Sequence, residues 1–212
     1  MVNNTVKKEN VMNISGIKSS PAFGKTAVME CRVKNSKDKV SQDATLYKLN
    51  MNNIDDIDAV RQSKNTTAIK NDFIKAHIFG DKYNDFYMLQ NDKTQEVISC
   101  AEVSHRYKTG GEEPERSTVV TSMGENKKYI NGGVPIIAYL TKIAAERDDD
   151  SLYISYNIED SSNWSDWTEN EIPSLTQIKA SDTGKDGMRI PSRRFLSFLD
   201  VAEKRAQINY EI

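Results

Sequence analysis

The 212-residue chain has few of the residues that build disulfide frameworks and metal centres. It contains only two cysteines and two histidines. Cys31 and Cys100 lie far apart, show no metal-ligand spacing and stand in apolar, strand-like segments. We therefore predict two buried free thiols in a reducing compartment and no metal site.

The chain also lacks a long apolar run and an excess of either charge. No segment approaches the roughly 18 apolar residues of a membrane-spanning helix. The first twenty residues begin weakly basic but have no apolar core, so they do not resemble a signal peptide. Because the formal net charge is −2, no basic field indicates nucleic acid or a membrane surface as a partner. We expect a cytoplasmic protein that acts without either.

The composition is that of a polar globular protein, with 37% hydrophobic and 28% charged residues, and the chain is long enough to bury a substantial core. Residues 1–22 are rich in Asn, Ser and Lys and are predicted to form a flexible tail. A domain is predicted over residues 23–190. Residues 191–212 are predicted to add a helix that packs on this domain or on a partner, which leaves a monomer or a homodimer open.

Strand and helix patterns alternate along the predicted domain. A hairpin is followed by two helices between Asn52 and Ile78, three strands, a helix, another strand and a closing hairpin. Pro191 is expected to begin the last helix. The predicted strands are Thr26–Lys34, Ala44–Asn50, Asp85–Gln90, Glu96–Tyr107, Ser117–Met123 and Ser151–Asn157. The apolar face predicted for the last helix consists of Phe195, Leu196, Leu199 and Ala202.

The most informative segment is KYINGGVPIIAYLTKIA, Lys128–Ala144. Its apolar residues from Ile136 onward fall at i, i+1, i+4, i+7 and i+8, a single helical stripe, and Pro135 suits the first turn. Gly132 and Gly133 allow a tight turn that brings backbone amides close to whatever lies above the helix start, and a helix N-terminus attracts anions. The segment is therefore either a plain connection into a buried helix or a cradle for an anion.

The order of elements resembles that of the GNAT superfamily of acyl-CoA-dependent N-acetyltransferases. In this family a strand leads into a glycine-bearing turn whose amides hold the pyrophosphate of acetyl-CoA. The family pattern is a basic residue or Gln, two residues of any type, Gly, any residue, and Gly or Ala. Here KKYINGGVPIIAYL follows STVVTSM, so Gly133 takes the last small position, Asn131 the first glycine, and Lys127 or Lys128 the basic one. Asn tolerates left-handed backbone better than most residues do.

The resemblance implies an α/β (α+β) fold with a mixed, mostly antiparallel central sheet flanked by helices. It implies acetyl-CoA as acyl-donor co-substrate and, as acceptor, an amine of a small molecule or protein that attacks the thioester directly. The residues that it implies for cofactor binding are Ser122, Met123, Gly124, Lys128, Asn131, Gly132, Gly133 and Val134.

Direct attack needs a base for the amine, a hydrogen-bond donor for the thioester carbonyl and an acid for the leaving thiolate. Glu102 and His105 are the candidate bases, and strand alternation places them on opposite faces. The family often supplies the acid from a tyrosine after the next strand. The matching segment, NWSDWTENE, has none, so Tyr156 or Tyr153 on the preceding strand is the substitute.

Two other hypotheses remain open from the sequence. The missing tyrosine and Asn131 favour the same fold kept as a binding or interaction module without turnover, whereas the Gly132–Gly133 turn and its basic lead-in favour the enzyme. An open notch beside Ser122–Gly133 would support cofactor binding, and a side chain plugging that notch would support the module. The third hypothesis is an unrelated α+β protein in which the glycine turn is structural.

Overall fold

The computed structural model of the protein describes residues 24–50, 53, 55–56, 58, 84–109, 115–155, 176–178 and 187–209. The predicted tail, nearly all of the two helices predicted between Asn52 and Ile78, and Tyr156 lie outside these residues. No helix in the described part of the chain is long and apolar enough to cross a membrane.

Nine strands of the described residues form one sheet in the order β6-β1-β2-β3-β4-β5-β7-β9-β8. Every neighbouring pair is antiparallel except β5 and β7, which run parallel. The predicted mixed, mostly antiparallel sheet is therefore confirmed. The strands are β1 Thr26–Asn35, β2 Ser41–Lys48, β3 Asn84–Asn91, β4 Val97–Lys108, β5 Glu115–Glu125, β6 Tyr129–Ile130, β7 Ser151–Ser155, β8 Thr176–Ile178 and β9 Gly187–Pro191.

Helix α1, Val134–Glu146, makes the crossover that a parallel strand pair requires. Four of the five residues of its predicted apolar stripe, Ile136, Ile137, Leu140 and Ala144, are fully buried, and Ile143 is partly buried. The helix lies across the sheet, so its first turn stands near the end of β5 and its last turn near the start of β7. The two ends of α1 therefore lie near different parts of the sheet.

Helix α2, Phe195–Ala206, packs beside α1 and differs from the prediction in two ways. Pro191 is extended, with ψ 151°, and ends β9, and the 3-10 turn Ser192–Arg194 comes before the helix. Leu196 is 81% exposed, whereas Phe198, which the predicted face omitted, is 1% exposed. Turning Phe195 and Phe198 inward buries more apolar surface than the Leu196 face would, which explains the difference.

One hydrophobic cluster joins the sheet to both helices. It includes Cys31, and both cysteines are buried free thiols, as predicted. Burial, reinforced by the charge of Asp92, raises the pKa of the Cys31 thiol to about 12. Because the thiolate is the reactive form of cysteine, this thiol is chemically inert in the folded protein.

The turn before α1 is held by strand β6, which was not predicted. Ile130 pairs with Lys34 of β1, and the N–H of Lys128 donates to the side-chain oxygen of Asn126 at 3.1 Å. Asn131 has a φ of +52°, and its carbonyl accepts a hydrogen bond from the Val134 N–H at 3.1 Å. The position that the family pattern gives to glycine thus has the left-handed backbone that glycine favours.

We expect Asn131→Gly to keep the free energy of unfolding and Asn131→Val to lower it by about 1–2 kcal/mol, because a β-branched residue is strained at positive φ. The Asn131 side chain is exposed, so neither change removes buried contacts. Chemical denaturation of both variants measures the difference. Equal stability of the two would contradict the left-handed turn.

We expect Phe198→Ala to lower the free energy of unfolding by about 3–5 kcal/mol, because it leaves a cavity between α2 and the core. Leu196→Ala, two residues away on the exposed side of the same helix, should change it by less than about 0.5 kcal/mol. Urea titrations of both proteins provide the comparison. A larger effect at Leu196 would mean that α2 is rotated so that Leu196, and not Phe198, faces the core.

Candidate functional site

Among the described residues, β7 pairs with only the first part of β5. They pair from Ser117 opposite Ser151 to Val120 opposite Ile154, and β5 then continues to Glu125. The register between β4 and β5 shifts at Thr121, and a β-bulge of this kind bends a strand and increases its twist. Among the described residues, Thr121–Glu125 therefore pairs with β4 alone. We call the space beside this segment the notch.

The main chain of β5 is a possible partner for an extended molecule in the notch. Ser122, Met123 and Gly124, all predicted to contact the cofactor, lie opposite Glu102, Ala101 and Cys100 of β4. In an antiparallel ladder, alternate residues direct their N–H and C=O groups away from a given neighbour. Part of the main chain along the notch thus faces away from β4.

The start of α1 stands at the wide end of the notch. Gly133 is its N-cap residue, the cap makes no side-chain hydrogen bond, and the first turn contains no acidic residue. Ser99 anchors the turn by donating its hydroxyl to the Gly132 carbonyl at 2.7 Å. The positive end of the helix dipole is thus left for an anion supplied from outside the helix. We call this site, Asn131–Val134, the cradle.

The cradle is covered by two side chains from the end of β5. A Cβ atom added to Gly133 would overlap the methyl group of Met123 and the carboxylate of Glu125. The absence of a side chain at Gly133 lets these two side-chain ends lie against it. A carboxylate beside a helix N-terminus is favourably placed, and Glu125 brings the protein's own anion to the cradle. Glu125 was not predicted, and only its place directly before the turn signals it in the sequence.

The predicted basic residue of the cradle is engaged elsewhere. Lys128 Nζ lies 2.6 Å from Glu96 Oε1, and Glu96 also accepts hydrogen bonds from Asn126 and the Tyr129 hydroxyl. The hydrogen bond from Lys128, followed by the others, keeps the pKa of Glu96 below its usual value. Lys127, the alternative in the same pattern, is exposed and makes no ion pair with a described residue.

Glu102 lies at the narrow end of the notch. Its side chain is 7% exposed, it stands opposite Ser122 beside the bulge, and Asn84 Nδ2 donates to its carboxylate at 2.6 Å. Ala101 and Val103 belong to the core cluster under α1, so strand alternation turns Glu102 toward the other face of the sheet. A buried, oriented carboxylate next to the notch has the position that a general base requires.

His105 belongs to a network at the closed end of the strand pair. Thr118 donates its hydroxyl to Asp149 Oδ2 at 2.6 Å, and His105 Nδ1 lies 3.0 Å from the same hydroxyl oxygen. His105 Nε2 lies 3.5 Å from Asp85. Burial opposes ionisation of Asp85, but hydrogen bonds from His105 and Lys48 outweigh it and lower the Asp85 pKa to about 2.

The structure does not bring the two candidate bases together. His105 pairs with Thr118, inside the segment where β5 is still joined to β7, and it lies on the opposite face from Glu102. Tyr153, one of the two candidate acids, has its hydroxyl 3.2 Å from Glu115 and its ring under the guanidinium of Arg189. The other candidate acid, Tyr156, lies outside the described residues.

No family model and no curated protein sequence matches the chain. Solved structures do match it. A complex of AtaT and AtaR bound with acetyl-CoA aligns with a TM-score of 0.51 and 11% identity, over 73% of this chain and 96% of the other. A mutant AtaT toxin bound to the C-terminus of the antitoxin AtaR and acetyl-CoA aligns with 0.51 and 9%, over 74% and 98%. An acetyltransferase of the GNAT family from Staphylococcus aureus aligns with 0.49 and 13%, over 70% and 99%.

At these identities the matches bear on the fold alone, and they span nearly the whole length of the matched chains. The chain therefore has the fold of the GNAT superfamily.

Proposed function

We propose that the chain is an N-acetyltransferase that moves the acetyl group of acetyl-CoA to an amine of a small molecule or a protein. The observation that carries this proposal is the notch, which opens where β5 leaves β7 and leads to the uncapped start of α1. Two similar solved structures hold acetyl-CoA. In this chain the main chain of Ser122–Gly124 would hold the pantetheine arm, and the cradle would hold the pyrophosphate.

Glu102 is the proposed general base. Its carboxylate takes a proton from the acceptor ammonium, and the free amine nitrogen then attacks the thioester carbonyl carbon. A main-chain N–H of Ser122–Gly124 stabilises the oxyanion that forms. The carbon–sulfur bond breaks, and Tyr156 is the proposed donor of a proton to the leaving thiolate, while the proton that the acylated nitrogen then loses returns to the tyrosine phenolate through water. The hydrogen bond from Asn84 holds the Glu102 carboxylate in one orientation.

The cradle has to be vacated before a pyrophosphate can enter it. Glu125 and Met123 reach it with the far ends of flexible side chains, so both can swing out without moving the strand. The Glu125 carboxylate and a phosphate compete for the same helix dipole, and like charges at close range repel. Glu125 therefore weakens cofactor binding in this proposal.

The second candidate function is a binding or interaction module without turnover. The contact of Glu125 and Met123 with Gly133 favours it. If Glu125 and Met123 stay on Gly133, the cradle is satisfied internally and the notch has no cofactor. Acetyl-CoA binding separates the two functions.

At about a hundred times its dissociation constant, acetyl-CoA should stabilise the wild-type protein by roughly 2.7 kcal/mol, a rise of several degrees in Tm. Glu125→Gln removes the competing charge and should tighten binding by about tenfold, equivalent to about 1.4 kcal/mol. Thermal unfolding and calorimetric titration measure both effects.

The matched control for Glu125→Gln is Glu146→Gln, the same change in the last turn of α1 next to Lys142. It should leave acetyl-CoA affinity unchanged. Absence of any ligand effect in folded wild type and in folded Glu125→Gln would reject the acetyltransferase and leave the interaction module.

We expect Glu102→Gln to lower kcat by about 10²–10⁴-fold, because the amide cannot accept the proton, with little change in acetyl-CoA affinity. Release of the CoA thiol in the presence of polyamines, amino acids and lysine-containing peptides measures turnover. His105→Gln tests the other candidate base. It should lower Tm, because His105 contacts Thr118 and Asp85, and it should change kcat little. A selective loss of turnover in His105→Gln, with Glu102→Gln active, would reverse the assignment.

A further inference from the structure

A second concave surface lies at the opposite end of α1 from the cradle. It has a volume of about 570 Å³ and is lined by His105, Arg106, Tyr107, Arg116 and Arg147. These residues come from the end of β4, the start of β5 and the end of α1. Because α1 rises about 1.5 Å per residue over its 13 residues, this surface is separated from the cradle by the length of the helix. We call it the basic groove.

Three guanidinium groups line the basic groove, and two of them have no carboxylate partner among the described residues. The Arg106 side chain is exposed, and its guanidinium makes no ion pair or hydrogen bond with a described residue. Arg116 lies 5.7 Å from the centre of the Tyr107 ring and pairs with no carboxylate in the described ranges. Arg147 is the exception, since its Nε is 3.6 Å from Asp149 Oδ1.

The carboxylates nearest the groove are occupied. Asp149 is fully buried between Thr118 and Arg147. Asp150 accepts a hydrogen bond from the main-chain N–H of Arg116 at 2.8 Å, which is not a contact with the guanidinium. Asp85 accepts from His105 and Lys48. Among the described residues, no carboxylate contacts the guanidinium group of Arg106 or Arg116, so both groups are left to bind an anion.

The shape and chemistry of the basic groove suit a small ligand. Guanidinium groups bind phosphate oxygens in a bidentate manner, and the groove volume lies in the range of small-molecule sites. Tyr107, at 59% exposure, offers an aromatic surface next to the charges. A phosphate monoester carries about −1.5 to −2 charges at pH 7 and three acceptor oxygens, so it can engage both guanidinium groups at once, whereas a carboxylate has one charge and two oxygens.

We propose that the basic groove is a binding site for a small phosphate monoester, separate from the acetyl-CoA site. Arg106 and Arg116 hold the phosphate oxygens, Arg147 borders them, and Tyr107 contacts the organic part of the ligand. The site does not depend on the proposed acetyltransferase activity, because none of its residues lies in the notch or the cradle.

The test uses phenyl phosphate as the probe and benzoate as its singly charged counterpart, titrated into the full-length protein by calorimetry at low salt. Phenyl phosphate should bind at least about tenfold more tightly than benzoate. Arg106→Gln and Arg116→Gln should each weaken it by about tenfold or more, and the double variant should not bind. Arg32→Gln, at an exposed arginine of β1 paired with Asp43, should bind as the wild type does.

Two further measurements distinguish binding in the basic groove from binding in the cradle and from general loss of structure. Phenyl phosphate should bind unchanged when acetyl-CoA is saturating, since a phosphate held in the cradle would be displaced. Arg116→Lys keeps the positive charge but loses the two parallel N–H groups of the guanidinium, so it should weaken binding. This variant provides the test if a glutamine variant fails to fold. Undiminished binding by the double variant, equal affinity for benzoate, displacement by acetyl-CoA, or no binding by the wild type would each overturn the proposal.

Discussion

The candidate site depends on the point at which β5 stops pairing with β7. A parallel pair needs a crossover, and α1 supplies it by running back across the sheet. Among the described residues, β5 makes no pairing with β7 beyond the bulge at Thr121, so the strand that feeds the crossover also forms one wall of the notch. The cradle, the free main chain of β5 and Glu102 are near one another because of this one irregularity.

The start of α1 is a place where two anions compete. The helix dipole and the missing cap favour negative charge there, and in the protein as described this charge comes from Glu125. A cofactor phosphate carries more charge and can accept several main-chain hydrogen bonds, but it gives up solvation and mobility to do so. The balance between these terms sets how strongly a phosphate could bind at the start of α1.

Patterns repeated over several turns were predictable from the sequence. The stripe in α1 has five apolar residues at helical spacing, and the strands have enough alternating residues to be recognised. Very short strands, and contacts between residues far apart in the sequence, were not predictable. Strand β6 has two residues and no period, and Lys128 meets Glu96 only because the sheet brings them together. The order of elements indicated the location of the site, but the Glu125 contact with Gly133 is a matter of packing that no spacing encodes.

The outer edge of β1 bears on how the protein reaches its native state. That edge is covered at one end by β6 and at the other by Asn209, which exchanges main-chain hydrogen bonds with Glu30. Both partners lie much later in the chain, so during synthesis β1 has one unpaired edge until nearly all of the described chain has emerged. Pairings so distant in sequence form slowly, and exposed strand edges attract other chains. The outer edge of β1 is therefore open to other chains for longer than the edge that pairs with β2.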